Sequence, residues 1–281
     1  MKIATLSTVV FLSTLPHTRA YAQDLAVGLG TGSRDISALE GSVEEYLEKR
    51  AYSQQIPGLN DAINFEGMRI PYVLLTAVYR LRKPLLPIGT TEHLVELDWT
   101  SSLFGVKTDH SKLEINYAGV DLGNVDTYWS YKIDTYLSLG LGTHYTPLTL
   151  HYEGIKLRGG FILQGGFSYV NGSASLELSL TNNEVYRKLD PDMVADSFGI
   201  AENSIIDARF YGLGYFFQPT VTISLDIEER VTLETNWGYR AESIPVDVTE
   251  TQTSIDTTIR KAKGVLDLSG ETVSFRIEYH F

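Results

Sequence analysis

Ionisable residues in this sequence recur at every second position, with apolar residues between them. These ionisable residues are the main candidates for a functional site. Glu96 and Asp98 alternate with Val95, Leu97 and Trp99. Because successive side chains of a β-strand point to opposite faces, residues spaced in this way share one face. Around a water-filled space, several such faces would attract counterions and discriminate between cations and anions.

The same alternation predicts a larger set of charged side chains that point into a common interior. Its members are Glu96, Asp98, Glu114, Lys132, Asp134, Glu234, Arg240 and Arg276. Acidic members outnumber basic ones, so an open interior would form a narrow channel that prefers cations. Pairing between the charges would instead plug the interior and leave a non-conducting surface-binding or structural barrel that acts through its outer loops. We favour that alternative, because about ten strands enclose little free space once side chains fill it.

The sequence gives little support to metal or cofactor chemistry. The histidines after residue 22 are His93, His110, His144, His151 and His280. No two of them have the spacing of two or four that places a pair on one face of a strand or helix, so we predict no metal site. Gly28, Gly30 and Gly32 are followed by Ser33, where a dinucleotide fingerprint needs a third glycine, so we predict no cofactor.

Catalysis would need a serine or paired acids close to a histidine. His151 with Ser168, or Asp190 with Asp192, could be combined for lipid or peptide hydrolysis, but neither combination has a family motif around it. Acidic residues in a polar segment are more often simply solvated. We therefore predict that the protein is not an enzyme, with a membrane-embedded lipid hydrolase or protease as the less favoured alternative.

The segment from Trp129 to Tyr145 has the clearest strand pattern. Apolar or aromatic residues occupy most odd positions, and small or charged residues occupy most even ones. Aromatic residues lie near both ends and aliphatic residues such as Leu139 lie between them, as in a strand that faces lipid. At about 3.3 Å per residue and a tilt of about 40°, the part from Tyr131 to Tyr145 climbs about 35 Å, enough to cross a bilayer.

Similar two-faced segments recur after residue 66 and predict about ten strands. The predicted strands are 66–81, 91–105, 110–118, 127–145, 148–158, 160–170, 174–182, 207–228, 231–240 and 272–281. In the 174–182 segment, Leu176 and Leu178 are predicted to face outward and Glu177 inward. A break at Gln218-Pro219 would split one strand, and the range of strand numbers that fits is about 8 to 14.

A soluble β-sandwich or small barrel around an apolar core would show the same alternation. Two features favour a membrane-spanning barrel instead. Aromatic side chains gather near strand ends, where a membrane has its interfaces, and the polar face is rich in glycine, which suits a crowded lumen. The predicted fold is therefore an all-β, antiparallel transmembrane β-barrel of about ten strands.

Turn signals predict how these strands connect. Glu229-Arg230, Asn171-Gly172 and Thr146-Pro147 are predicted as short turns on the side that holds both ends of the chain. Gly159-Gly160 is predicted as a tight turn on the opposite side. The polar segments 182–207 and 241–271 are predicted as long outer loops.

The last strand has the most specific pattern in the sequence. Val273, Phe275, Ile277, Tyr279 and Phe281 alternate with polar residues, and the sequence stops at the aromatic residue. In this respect the chain resembles the bacterial outer-membrane β-barrel proteins as a superfamily, whose last strand ends in phenylalanine with an aromatic residue two positions earlier. The resemblance implies that Tyr279 and Phe281 form the signal recognised by the barrel-assembly machinery, and that this strand closes the sheet against the first. It implies no ligand and no activity.

The first 22 residues have the pattern of an export signal. Lys2 precedes a mostly apolar run from Ile3 to Leu15, and Ala20-Tyr21-Ala22 offers small residues to a signal peptidase. The run falls short of the roughly 20 residues that span a bilayer as a helix. We predict cleavage after residue 22 and a location in the bacterial outer membrane, in contact with its lipid.

Residues 23–65 are predicted to form a separate N-terminal segment, before a barrel of residues 66–281. Asp35 could cap a helix there, although Gly41 weakens it. The residues that would share its apolar face are Ile36, Leu39, Val43, Tyr46 and Leu47. A plug in the lumen, a periplasmic cap and a spacer without a further role all fit this pattern.

Composition disfavours several partners. The formal net charge of the chain is -12, and an acidic chain lacks the basic patch that binding of nucleic acid or anionic lipid uses. The sequence contains no cysteine, which excludes both disulfides and the lipid-carrying cysteine of a lipoprotein. The sequence does not indicate a ligand.

Overall fold

The computed structural model describes residues 25–49, 68–80, 89–101, 106–117, 120–179, 203–228, 230–253 and 257–281. Its strands and single described helix follow one another along the chain. They are β1 (Leu25–Asp35), α1 (Leu39–Lys49), β2 (Arg69–Arg80), β3 (Thr90–Ser101), β4 (Val106–Tyr117), β5 (Val120–Tyr152), β6 (Ile155–Ser179), β7 (Asn203–Ile227), β8 (Val231–Thr253), β9 (Thr257–Asp267) and β10 (Gly270–His280).

Antiparallel pairing closes these strands into a ring. β1 pairs with β10 on one side and with β2 on the other, and β10 also pairs with β8. The order around the ring is β1, β2, β3, β5, β6, β7, β8 and β10. β4 pairs with β5 beyond the end of β3, and β9 pairs with β8 beyond the end of β10. The predicted fold class, an antiparallel transmembrane barrel of about ten strands with a short N-terminal helix, is confirmed.

The two ends of the barrel differ. Phe281 N donates to Leu25 O at 3.2 Å, and His280 N donates to Arg230 O at 2.8 Å. This end, which we call the terminal end, also holds the tight β5–β6 turn, where Gly154 has a φ of 85° that favours glycine. The opposite end is called the crown. It consists of α1, β4, β9 and residues 120–133, 171–179, 203–212 and 243–253 of the four longest strands.

An apolar belt surrounds the ring between these two ends. The exposed members of the belt include Leu29, Leu75, Val95, Leu141, Phe161, Leu213, Ile223, Trp237 and Phe275. Aromatic side chains border the belt, with Trp99, Tyr169, Tyr211 and Tyr239 towards the crown and Tyr152, Tyr279 and Phe281 at the terminal end. A continuous belt of this kind is unfavourable in water and matches the lipid-facing band of a membrane barrel. None of the described residues forms a helix with the length and apolarity needed to cross a bilayer.

In the crown part of β5, the apolar face turns inward. Trp129 and Tyr131 are buried inside the barrel, whereas Leu139 further along the strand is exposed. The pairing of β5 with β6 shifts after Ile133 and skips Asp134. This β-bulge exchanges the two faces of the strand. The prediction that the whole segment presents one apolar face to lipid is therefore wrong for its crown part.

In β6 the apolar side chains also turn inward at the crown, but this strand has no β-bulge there. Tyr169 is exposed at the edge of the belt, whereas Leu176 and Leu178 are buried and Glu177 between them is half-buried. The prediction that the two leucines face outward and Glu177 inward is therefore wrong. The physical reason is that the inside of the crown is apolar, so the apolar positions of the strand move from odd to even numbers there.

Some strand connections differ from the prediction. β5 continues through Thr146-Pro147, with an irregular pairing between Tyr145 and Leu148, and β6 continues through Gly159-Gly160 and Asn171-Gly172. The chain turns at Glu153-Gly154 instead. β7 ends at Ile227 and β8 begins at Val231, as the predicted turn at 229–230 requires.

Two barrel strands were not predicted from the sequence. The barrel begins with β1 at Leu25 and not near residue 66, because Leu25–Asp35 pairs along its length with β2 and β10. Residues 241–271, predicted as an outer loop, contain the end of β8, the whole of β9 and the start of β10. Of the other predicted loop, residues 182–202 lie outside the described ranges, and 203–207 belong to β7.

The predicted helix is present and packs into the crown. Asp35 Oδ1 accepts a hydrogen bond from Ser37 N at 2.8 Å just before the helix begins. The apolar face buries Ile36, Leu39 and Leu47, with Val43 and Tyr46 packed against the same cluster. α1 therefore lies at the end of the barrel away from residues 25 and 281.

Candidate functional site

The alternation in the belt brings charged side chains together inside the barrel. Glu96, Asp98, Glu234, Arg240 and Arg276 all lie there, and each is less than a tenth exposed. Their neighbours in sequence, such as Val95 and Tyr239, point outward. Strands whose odd positions face lipid therefore direct their even positions towards the barrel axis.

The other predicted interior residues are placed differently. Lys132 Nζ lies 2.6 Å from Asp134 Oδ1, and both side chains are partly exposed on the outer face of the crown. Their predicted inward direction is wrong, because the bulge at Asp134 turns this part of β5 over. The side chain of Glu114 lies outside the described part of the structure, although its backbone pairs in β4.

Arg240 and Asp98 form an ion pair across the lumen. Arg240 Nη1 donates to Asp98 Oδ2 at 2.8 Å. β8 and β3, which carry these residues, stand half-way around the ring from each other, so the pair crosses its full width. Arg240 Nη2 also donates to Ser168 Oγ at 3.0 Å, and its guanidinium lies over the ring of Phe216. The charge is thereby fixed in the centre of the lumen.

A second crossing lies next to the crown. Arg34 of β1 forms an ion pair with Glu242 of β8 and donates to Tyr136 Oη of β5 at 2.9 Å. Tyr136 Oη in turn donates to Glu242 Oε1 at 2.9 Å. All three side chains are almost fully buried. They join three strands that are not neighbours in the ring.

Arg276 holds three carboxylates nearer the terminal end. Its Nη2 lies 2.7 Å from Glu234 Oε1, its Nε 2.8 Å from Glu278 Oε1 and its Nη1 3.5 Å from Glu96 Oε2. Gln164 Nε2 donates to the other oxygen of Glu96 at 3.1 Å. This arginine thus links β10 to β3 as well as to its neighbour β8.

Arg158 forms the last of the described crossings. Its Nη1 donates to Glu92 Oε1 and its Nη2 to Asp226 Oδ1, both at 2.9 Å. Thr232 Oγ1 donates to the same oxygen of Asp226 at 2.6 Å. His144 Nδ1 lies 3.4 Å from Glu92 Oε2, so a protonated imidazole there would be an additional cation.

We call these buried charges the lumen network. It comprises Arg34, Arg158, Arg240 and Arg276 with Glu92, Glu96, Asp98, Asp226, Glu234, Glu242 and Glu278. Each arginine contacts at least two of the carboxylates, as buried charges require. Glycine makes room for it: a Cβ on Gly140 would come within 2.9 Å of Phe216 Cζ, and one on Gly28 within 3.0 Å of Glu278 Cγ.

Some members of the network were not identified from the sequence. Arg34 lies in a segment assigned before the barrel, and Glu242 lies in a segment predicted as a loop. Alternation was present in β1, where Leu25, Val27 and Leu29 are spaced two apart, and it could have revealed that strand. Tyr136 gave no such signal, because a single tyrosine on a polar face fits either direction.

The described residues among those considered for catalysis or metal binding are not brought together. His151 is exposed next to the terminal-end turn, whereas Ser168 is buried beside Arg240. Asp190 and Asp192 lie outside the described residues. Among the side chains that the structure describes, no three His, Asp or Glu residues are grouped as metal ligands. Gly28, Gly30 and Gly32 lie in β1.

Beyond the lumen network, the crown contains a partly open apolar cavity of about 120 Å³. α1 forms one wall through Val43, Tyr46 and Leu47. The barrel forms the other walls through the inner faces of β5 to β9, where the main side chains are Trp129, Tyr131, Ala174, Leu176, Ala208, Phe210, Val246, Val248 and Leu266. Tyr131 and Phe210 are stacked, with 5.4 Å between their ring centroids.

Comparison with solved structures finds outer membrane proteins of bacteria among the similar chains. A major outer membrane protein from Thermus thermophilus aligns over 91% of this chain and 99% of its own, with a TM-score of 0.39 and 9% identity. The outer membrane protein OprG from Pseudomonas aeruginosa aligns over 93% of this chain and 97% of its own, with a TM-score of 0.34 and 11% identity. No protein-family profile and no curated protein sequence matches the chain.

Proposed function

We propose that this chain is an outer-membrane β-barrel with a closed lumen, which acts by binding at its crown and not by conducting ions. The Arg240–Asp98 pair carries the proposal, because it places a paired arginine across the full width of the lumen. The rest of the lumen network supports it, since Arg34, Arg158 and Arg276 each also pair with a carboxylate on a strand that is not their neighbour in the ring. The apolar belt supports the membrane location.

A narrow cation-preferring channel is the second candidate. The observation that favours it is the excess of carboxylates over arginines in the lumen network, since an acidic lining attracts cations. Single-channel recording in planar bilayers separates the two functions. A closed barrel gives no current steps after insertion has been verified. Discrete steps with a preference for sodium over chloride would overturn the closed-lumen proposal and establish the channel.

We infer that the crown faces the cell exterior and the terminal end the periplasm. Barrels of this class have short turns on the periplasmic side and longer connections outside, and the tight β5–β6 and β7–β8 turns both lie at the terminal end. Lys261 and Lys263 are exposed on β9 of the crown. A membrane-impermeant amine reagent should therefore label them on intact cells. Labelling only after lysis would reverse the orientation.

Export and assembly complete the proposal. Cleavage after residue 22 leaves a mature chain that begins just before β1. Tyr279 and Phe281 are both about half exposed and pack edge to face, 5.3 Å apart, beside the first strand. They form the aromatic end that we propose the barrel-assembly machinery recognises. N-terminal sequencing of the membrane-inserted protein tests the cleavage site.

We propose no catalytic role. Ser168 Oγ accepts a hydrogen bond from Arg240 inside the lumen network, where a lipid or peptide bond would have to displace an ion pair to reach it. Refolded protein should release neither fatty acid from phospholipid nor peptide from casein. Release of either product that is lost in Ser168→Ala would favour the hydrolase.

A further inference from the structure

Three small residues, Ala174, Ala208 and Gly264, line the apolar cavity. Ala174 and Ala208 lie directly opposite each other on β6 and β7. On the same face of β7, Ala208 is flanked by Ile206 and Phe210. A Cβ on Gly264 of β9 would meet Val246 only at 3.6 Å, an ordinary contact. The space therefore comes from side chains that are absent at these three places.

A void of this kind needs an explanation. Protein interiors are close-packed, and an unfilled apolar cavity is destabilising. Water fills such spaces only where several polar groups can bind it, and the walls here are almost entirely aromatic and aliphatic. The lumen network, in contrast, is filled by side chains a short distance away. The difference points to a guest molecule in the crown.

We propose that this cavity binds a small, uncharged, monocyclic aromatic molecule. Its volume of about 120 Å³ is close to that of an engineered apolar cavity of about 150 Å³ that binds benzene. The stacked rings of Tyr131 and Phe210, together with Trp129, supply flat walls that suit offset or edge-to-face contact with another ring. No buried charge of the lumen network borders the cavity, which excludes ionised ligands.

α1 controls access to the cavity in this arrangement. Ser42 Oγ accepts a hydrogen bond from Asp267 N at 2.8 Å, and Tyr46 Oη donates to Glu250 Oε2 at 2.8 Å. These bonds attach the helix to β8 and β9. The helix faces the cavity through Val43, Tyr46 and Leu47, so a short outward movement would widen the cavity on the crown side without disturbing the ring.

The positions of the tryptophans allow a direct test. Trp129 lines the cavity, whereas Trp99 and Trp237 face lipid on the outer belt. Bromobenzene is an aromatic molecule of suitable size whose heavy atom quenches tryptophan on contact. The experiment titrates it into the full mature barrel in vesicles, using one variant that keeps only Trp129 (Trp99→Phe with Trp237→Phe) and one that keeps only Trp237.

We expect saturable quenching of Trp129 and linear quenching of Trp237, which reports partition into lipid. Ala208→Leu should abolish the saturable component by filling the space, whereas Ala241→Leu, at an exposed position of β8, should leave it unchanged. Gly264→Ala gives a smaller fill that should weaken binding, in case Ala208→Leu prevents folding, which heat-modifiable migration on a gel would reveal.

Two results would overturn the proposal. Linear quenching of Trp129 would show contact through lipid alone, and saturable quenching that survives both filling variants would place the ligand elsewhere. The inference rests on the proposed binding role of the crown and names its ligand class. Its failure is distinguishable from failure of the closed barrel, because the bilayer recording reports only on the lumen network.

Discussion

The guanidinium carbon of Arg240 lies 3.3 Å from the centre of the Phe216 ring, while the same side chain pairs with Asp98 and Glu242. An aromatic face on one side and carboxylates on the others leave this arginine no contact with water. The group thus combines cation–π contact with paired charge in one buried position. Its removal should affect both the stability and the permeability of the barrel.

Arg240→Met should destabilise the barrel by about 3–5 kcal/mol, because Asp98 and Glu242 would lose a buried partner. The free energy of unfolding can be measured by urea titration in vesicles, followed by tryptophan fluorescence. The matched control is Arg209→Met, at an exposed position of β7, for which we expect a loss below about 0.5 kcal/mol. Equal losses in the two variants would contradict the central role of Arg240.

Removal of two arginines should open a cation pathway. In the double variant Arg240→Ala with Arg276→Ala, the carboxylates of the lumen network remain while two crossings are lost. Planar bilayers should then show current steps that are absent from the unmodified protein, with sodium preferred over chloride.

Neutral amides supply the control for this selectivity. Adding Glu96→Gln, Asp98→Asn and Glu234→Gln to the open variant should reduce the preference for sodium, because the remaining lining has lost negative charge. A double arginine variant that folds but stays silent would mean that other groups close the lumen.

Deletion of Asp134 should prevent formation of the barrel. Without the extra residue, either Trp129 and Tyr131 would turn towards the outside or the leucines near Leu139 would turn into the lumen network. Heat-modifiable migration in detergent reports the closed barrel. Asp134→Ala keeps the bulge and loses only a partly exposed ion pair with Lys132, so it should fold with a change below about 1 kcal/mol. A folded deletion variant would show that the bulge is dispensable.

Phe281→Ala should reduce assembly in cells more than stability in vitro. Its backbone N–H still reaches Leu25 O, so refolded protein should keep most of its stability, while the proposed signal for the assembly machinery is lost. The measurement compares the amount of heat-modifiable barrel in outer-membrane fractions with the unfolding midpoint of refolded protein. Phe161→Ala, another exposed phenylalanine of the belt, controls for lost lipid contact. Equal assembly of the two variants would argue against a special role for the last residue.

The fold class could be predicted because the belt imposes a simple pattern. Val95, Leu97 and Trp99 alternate with Glu96 and Asp98, since one face meets lipid and the other meets the lumen network. The predicted number of strands matches the structure, although the predicted strands are not the same segments as the observed ones. β1 and β9 were missed, while β5 and β6 were predicted as four segments, one of which, 148–158, runs across the turn between them.

The errors in side-chain direction have one physical cause. Sequence reasoning assumed that apolar side chains face outward along the whole strand, but in the crown they face the cavity. Leu178, buried at 1% exposure, and Trp129, at 4%, carry the same residue-type signal as lipid-facing positions. Cavity-facing and lipid-facing positions differ in their tertiary contacts, here with α1. These contacts cannot be read from the sequence of a single strand.

Arg34 and Glu242 are 208 residues apart in the chain yet share one contact inside the lumen. This bridge joins β1 to β8, two strands that come together only when β10 pairs with both of them. A partly assembled sheet would therefore hold bare ions at the depth of the bilayer, a state that hydrocarbon strongly disfavours. Closure of the ring and neutralisation of these two charges therefore coincide, so we expect a half-inserted barrel to be unstable.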